Sequence, residues 1–263
     1  MRSCLIMGFG RSGTSLMGGI LHQMGFYMGE NLYPPRDSNP RGFFECDFIN
    51  GINERILKPY DYNLSNKINP EPQKLHSPFS PGEGHRWLAY ITRETIVDST
   101  DSEVLQDIRK ATSIKNFAYK DPRFNYTLDV WMPYLKEDVV FICMFRNPAE
   151  TVESVVTECA TAEYLTNFSI THHLTERLWL NSYSHLLLKV KPGFSSRFVF
   201  IHYHQLLSGS IMEKLSNLFM TKIDNQFVEK KLNRTRTKYQ VMTETDEVYE
   251  HLCNLAQFDQ EDC

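Results

Sequence analysis

Residues 4–15 read Cys4-Leu5-Ile6-Met7-Gly8-Phe9-Gly10-Arg11-Ser12-Gly13-Thr14-Ser15, an apolar run closed by a glycine-rich turn and followed by a helical pattern. Glycines let backbone N–H groups converge on an anion, and the helix that follows presents unpaired donors and the positive end of its dipole. Gly8, four intervening residues, Gly13, Thr14 and Ser15 keep the spacing of a nucleotide-binding P-loop, but Thr14 stands where that motif requires lysine. The loop is built for phosphate, and the ATPase signature is broken. Thr14 and Ser15 add hydroxyls, and Arg11 adds a fixed charge whose donor fork suits phosphate or sulfonate oxygens. The competing reading is a glycine turn that merely joins a buried strand to a helix, with Arg11 solvated.

Outward from this loop, short apolar runs alternate with longer helical patterns, which predicts an α/β fold: a single domain over residues 1–263 with a central parallel sheet flanked by helices. The strands are expected at Ser3 to Gly8, Asn116 to Lys120, Asp138 to Phe145 and Arg197 to Tyr203. Chemistry-bearing residues stand just beyond their C-terminal ends, where ligands of open α/β sheets collect. Helices are expected over Gly13 to Met24, Glu45 to Leu57, Glu83 to Ser99, Tyr126 to Leu135, Pro148 to Thr157, Leu174 to Val190 and Ile211 to Phe219. Residues 59–84 carry Pro59, Pro70, Pro72, Pro78 and Pro81 among Asn and Ser, and read as an exposed loop or lid.

The 263 residues are 41% hydrophobic and 23% charged, ordinary for a globular chain, and the net charge of −4 gives no general electrostatic reason to bind nucleic acid or an anionic membrane. No run approaches a membrane span or a secretory h-region. The six cysteines lack a C-x-x-C pair, so neither zinc nor a disulfide framework is indicated, and reduced thiols in a cytoplasm are the simplest expectation. Oligomeric state is not readable from the chain.

A second constellation follows the third strand: Arg146-Asn147-Pro148, then a helix carrying Glu150, Glu153 and Ser154. Asn147 suits the cap and Pro148 the first helical position, so Arg146 sits at the strand end with Ser154 about 9 Å of rise beyond Pro148. An anion lying along this helix would meet both; alternatively Arg146 pairs with Glu150 or Glu153.

Together the two constellations resemble the sulfotransferase family, whose donor is 3′-phosphoadenosine 5′-phosphosulfate (PAPS) and whose product is 3′,5′-ADP. In that family a G-x-G-R-S-G-T-S loop holds the 5′-phosphosulfate, and an arginine followed eight residues later by serine holds the 3′-phosphate. Three further segments look like the bacterial branch: Asn39-Pro40-Arg41-Gly42-Phe43-Phe44-Glu45, Tyr119-Lys120-Asp121-Pro122-Arg123, and Ile201-His202-Tyr203. The resemblance implies a P-loop-like sulfotransferase fold. Arg11, Ser12, Gly13, Thr14 and Ser15 would hold the phosphosulfate, Arg146 and Ser154 the 3′-phosphate, and Tyr203 would touch the adenine. Lys120 and Arg123 fall near the sulfonate or acceptor, unless Asp121 and Arg123 simply brace a turn. The family's cytosolic branch ends in a lysine-glycine-rich phosphate loop that this chain lacks; Lys230 to Arg236 occupies the late region, where Arg234 or Arg236 would reach toward the 3′-phosphate, unless the segment is a solvated basic face.

Arginine cannot be deprotonated in a protein, so Arg11 is expected to stabilise charge in the transition state rather than to act as an acid. Glu45 is the first choice for the base that takes the acceptor proton and Glu30 the second. Phe43 and Phe44 would line an aromatic pocket for a small-molecule acceptor, carrying a hydroxyl or an amine or amide nitrogen, in a natural-product type of chemistry. No metal is needed. The competing functions are a P-loop kinase of a small molecule and a non-catalytic protein that binds PAPS or 3′,5′-ADP.

Overall fold

The computed structural model describes residues 1–37, 39–60, 87–165, 168–224, 226–228 and 237–259. Four strands, β1 (Cys4–Met7), β2 (Ala118–Lys120), β3 (Val140–Phe145) and β4 (Phe198–His202), form a parallel sheet in the order β2-β1-β3-β4. Every strand position is buried, as expected where helices cover both faces.

Alternation along the strands divides the core in two. Leu5, Met7, Tyr119, Phe141, Cys143, Phe145 and Phe200 face one side, where they pack with α2 (Asp47–Leu57), α3 (Ser102–Ser113), α4 (Phe124–Trp131), α5 (Pro148–Thr161), α6 (His172–Leu188) and α9 (Thr243–Ala256). Cys4, Ile6, Ala118, Ile142, Met144 and Ile201 face the other side, against α1 (Thr14–Gln23), α7 (Tyr203–Ser208) and α8 (Met212–Phe219). Cys4, Cys46, Cys143, Cys159 and Cys253 are buried. Among the described residues no helix is long and apolar enough to cross a membrane.

The expected helix over Glu83 to Ser99 is not formed across its described part, residues 87–99. Ile91, Thr92, Thr95, Ile96 and Val97 are β-branched and stiff at χ1 in a helix, and side chains from elsewhere take the carbonyls that a helix would need. Tyr126 Oη donates to Ala89 O at 3.2 Å, His185 Nε2 to Thr92 O at 2.7 Å and Tyr60 Oη to Asp98 O at 3.1 Å. The helix in this region is instead α3, which begins where Asp101 Oδ1 accepts from the N–H groups of Glu103 and Val104 at 2.9 and 3.2 Å. It buries Val104, Ile108 and Ala111, a one-face spacing that the sequence reading passed over. The helix α9 was likewise not anticipated. The expected strand to Tyr203 stops one residue earlier, because His202 and Gln205 form a reciprocal capping box that opens α7. Of the proline-rich stretch 59–84, only Pro59 and Tyr60 fall within the described residues, in a single 3₁₀ turn.

Burial of His202 is expected to make the fold acid-sensitive. Burial, then the neighbouring His204 and Arg146, pull its pKa from 6.5 down to about 3, and its Nδ1 accepts from His204 N at 3.3 Å. The neutral ring is therefore favoured by folding. The resulting stability is fully present above pH 6.5 and is lost as pH falls toward about 3, a loss of about 5 kcal/mol at most. Denaturant titrations between pH 7 and 4 are expected to give a shallower loss of stability in His202→Gln than in the wild type; equal slopes would remove His202 from the account.

Candidate functional site

The C-terminal ends of β1, β2, β3 and β4 lie along one edge, and Arg11, Ser12, Gly13, Ser15, Glu45, Lys120, Arg146, Ser154 and Tyr203 gather there. The loop after β1 needs its glycines. Gly8 has φ +138°, and a Cβ there would lie 2.2 Å from the Met144 carbonyl oxygen on β3; at Gly13, φ +92°, a Cβ would meet the Tyr203 ring at 2.6 Å. Ser12 is fully buried, and both its N–H and its hydroxyl turn back onto the Phe9 carbonyl, closing the turn from inside. Tyr183 on α6 adds a second tie: its hydroxyl accepts from Phe9 N at 3.2 Å and donates to Met144 O at 2.8 Å. The first intrahelical bond of α1 runs from Met17 N to Gly13 O, so the N–H groups of Thr14, Ser15 and Leu16 precede the ladder and lack partners within the helix.

Arg11 holds a left-handed backbone, φ +67°, and its side chain reaches α5. Its Nε donates to Ser154 Oγ at 3.2 Å, and its Nη1 lies 3.6 Å from Glu158 Oε2. The loop expected to hold one anionic group thus touches the serine expected to hold another. Arg146, 5% exposed at the end of β3, donates from Nε to Glu150 at 2.9 Å and stacks its guanidinium 4.9 Å from the centre of the Tyr203 ring. Tyr203 in turn lies over Gly13, so Arg11, Gly13, Arg146, Ser154 and Tyr203 form one continuous surface. Asn147 caps α5 through Glu150 N at 3.2 Å with Pro148 at the first position, as the spacing predicts.

A second cluster stands on the other side of the loop. Sheet register pairs Ile6 with Lys120, which brings the ammonium to the start of α1. Lys120 Nζ donates to Ser15 Oγ at 3.2 Å and to Glu45 Oε1, and Asn50 Nδ2 donates to Glu45 Oε2 at 2.8 Å. Lys120 and Glu45 are 4% and 8% exposed. Tyr33 faces the same group: burial pushes its hydroxyl pKa up, against the pull of Arg123 and with reinforcement from the Glu45 and Asp121 charges.

Beneath this cluster, Asp121 accepts from Arg123 Nε at 2.9 Å, Arg123 Nη2 at 3.0 Å and Asn53 Nδ2 at 2.9 Å, and Arg123 Nη1 donates to Glu54 at 2.6 Å. Thr127 and Trp131 donate to Asn53 Oδ1 at 2.8 and 2.9 Å. Burial pushes the Asp121 carboxyl upward, while Arg123 pulls the other way.

Two residues expected on the acceptor side sit elsewhere. Arg123 is 2% exposed and engaged by this network, which braces the turn after β2. Phe44, at φ +55°, packs in the core against Phe227 and over Gly18. Phe43 is partly exposed, and Glu30 is exposed at a bend after α1, whereas Glu45 is buried against Lys120. Arg234 lies outside the described residues.

Four contributors went unnoticed in the sequence: Asn50, Asn53, Glu158 and Tyr183. Three of them carried a readable sign. Asn50 and Asn53 fall among the buried positions of α2 with Ile49, Ile52 and Ile56, and Glu158 lies one turn after Ser154 on α5. A polar residue on a buried helix face needs a partner. Among the described residues no group of three or more His, Cys, Asp or Glu side chains could hold a metal ion.

The model of the sulfotransferase family matches residues 4–213 of the chain. No curated protein sequence matches. Among solved structures, the sulfotransferase domain from the curacin biosynthetic pathway superposes with a TM-score of 0.54 at 12% identity, over 98% of this chain and 99% of that one. The sulfotransferase domain from the Synechococcus PCC 7002 olefin synthase gives 0.52 at 13% identity, over 96% and 94%. At such identities these two show likeness of fold.

Proposed function

Since the chain belongs to the sulfotransferase family, we propose that it transfers a sulfonyl group from PAPS to a hydroxyl or nitrogen of a small-molecule acceptor. The observation that carries this reading is the pair of cationic sites on one helix, Arg11 of the glycine loop bonded to Ser154 of α5 at 3.2 Å and Arg146 at the end of β3 bonded to Glu150 of the same helix at 2.9 Å. A nucleotide with phosphate on both the 3′ and 5′ positions has two anionic ends for two such sites. PAPS supplies the sulfonyl group and leaves as 3′,5′-ADP.

The glycine loop suits an anion, because Gly8 and Gly13 let the turn close against Met144 and Tyr203 and the N–H groups of Thr14, Ser15 and Leu16 lack partners within the helix. Arg11, always protonated, stabilises negative charge that grows at the loop. Lys120 offers a second cation, held toward Ser15 and Glu45. Glu45, with one oxygen on Lys120 and the other on Asn50, is the group we assign to receive the acceptor proton; Glu30 is the alternative. Arg146 and Ser154 take the 3′-phosphate, Tyr203 borders the adenine, and Phe43 is the partly exposed aromatic left for the acceptor. Arg123 and Asp121 act through the backbone that carries Lys120. A cytoplasmic setting suits the five buried thiols. The kinase reading asks for an acidic magnesium ligand near the loop, and Asp121 is already engaged by Arg123 and Asn53.

Calorimetric titration tests the donor. Wild-type protein is expected to bind 3′,5′-ADP in preference to ATP with magnesium. Arg146→Ala is expected to weaken 3′,5′-ADP roughly 10- to 100-fold, the scale of a lost charge-assisted hydrogen bond, while leaving 5′-AMP nearly unaffected. Equal weakening of both nucleotides would remove the 3′-phosphate from Arg146, and preference for ATP with magnesium would restore the kinase.

A further inference from the structure

Glu158 is an acid in an unexpected place. It sits on α5 one turn beyond Ser154, 4% exposed, beside a surface read as binding polyanions. Simple electrostatics would exclude a carboxylate from such a surface, since it repels the ligand and its burial costs free energy unless it is partnered. It is partnered twice. Tyr164 Oη donates to Oε1 at 2.6 Å, and Arg11 Nη1 stands 3.6 Å from Oε2. Arg11 is a donor only, so in its 3.2 Å bond with Ser154 the serine oxygen must accept, and the serine's own proton is left for an acceptor other than Arg11. The donors along this chain of contacts are therefore fixed: Tyr164 donates to Glu158, Arg11 faces Glu158 as its cation, and Arg11 donates to Ser154.

Resting on the donor reading above, we propose that Glu158 is a positioning residue that holds Arg11 across the two donor subsites, so that the arginine of the loop and the serine of α5 act as one unit. The 3′-phosphate then has an effect beyond its own binding energy, because it engages the hydroxyl that Arg11 orients.

The sign of one measurement separates this from a purely electrostatic or structural role. Removing a negative charge near an anion site should tighten anion binding, whereas loss of a positioning residue should weaken it. Titration with 3′,5′-ADP is expected to show Glu158→Gln binding at least tenfold more weakly than wild type and Tyr164→Phe weakened in the same direction by less. In an Arg11→Ala background, Glu158→Gln is expected to weaken binding no further. Without nucleotide, Arg11→Ala is expected to melt roughly 5 °C below wild type, because it strands a buried carboxylate, and Arg11→Ala with Glu158→Gln to regain most of that loss.

Unchanged or tighter binding in Glu158→Gln, or weakening that adds in full to that of Arg11→Ala, overturns the proposal. Should Glu158→Gln fail to fold, Tyr164→Phe decides it alone, wild-type affinity counting against. If wild-type protein does not bind 3′,5′-ADP, the donor reading itself falls and takes this one with it, even where the melting cycle still reports Arg11–Glu158 coupling.

Discussion

Lys120→Ala is expected to melt about 10 °C below the wild type and to have lost transfer. Lys120 and Glu45 are buried together, 4% and 8% exposed, and Lys120 is the cation in contact with that carboxylate. Removing one partner of a buried pair leaves the other charge uncompensated, at a cost of about 3–5 kcal/mol, which for a domain of this size is a shift of about 2–4 °C per kcal/mol. Asn50 remains on Glu45 but supplies only a neutral donor. The same substitution strips the loop of the ammonium beside Ser15. A double variant separates the two losses: Lys120→Met with Glu45→Gln replaces the ion pair by an apolar and a neutral group of similar volume, and is expected to recover most of the melting temperature while remaining inactive. Thermal denaturation beside a turnover assay with labelled PAPS would read both. A single variant that melts like wild type would mean that the pair is not coupled in the folded protein.

That pair shows where sequence reading stops. The phosphate loop could be read directly, because its glycines, Arg11 and hydroxyls fall within one short segment whose local geometry they dictate, and the cap of α5 was equally local, with Asn147 and Pro148 adjacent. Lys120 and Glu45 were both named as candidates, but their contact depends on the register that sets Ile6 beside Lys120 and on a loop that returns Glu45 to the sheet edge. No local pattern carries register between strands more than a hundred residues apart. The helix expected over 83–99 failed across its described part for the same reason: carbonyls at Ala89, Thr92 and Asp98 are taken by Tyr126, His185 and Tyr60, partners that long-range packing supplies. Glu158 was overlooked because a glutamate on a helix reads as a solvated charge until the burial of its face is known.

Glu45→Gln is expected to lower kcat by about 10²- to 10⁴-fold while leaving 3′,5′-ADP affinity within about threefold of wild type, the scale of a lost general base. The substitution can keep the local hydrogen bonds because of Asn50. Its Nδ2 donates to Glu45 Oε2 at 2.8 Å, while its own Oδ1 is buried without a hydrogen-bond partner. When glutamine replaces Glu45, the Asn50 amide can turn over and offer Oδ1 to the new Nε2 donor, and the glutamine carbonyl can still accept from Lys120. The hydrogen bonds are kept, while the site loses a group able to take a proton and the charge that compensates Lys120, so the variant is also expected to melt several degrees below the wild type. If Glu45 only holds Lys120 in place, glutamine should do so nearly as well and kcat should fall by no more than a few-fold. If Glu30 is the base, Glu30→Gln should carry the large loss instead, from an exposed position where it costs little stability. Measuring kcat and 3′,5′-ADP affinity for the two variants side by side decides between proton acceptor and structural counter-ion.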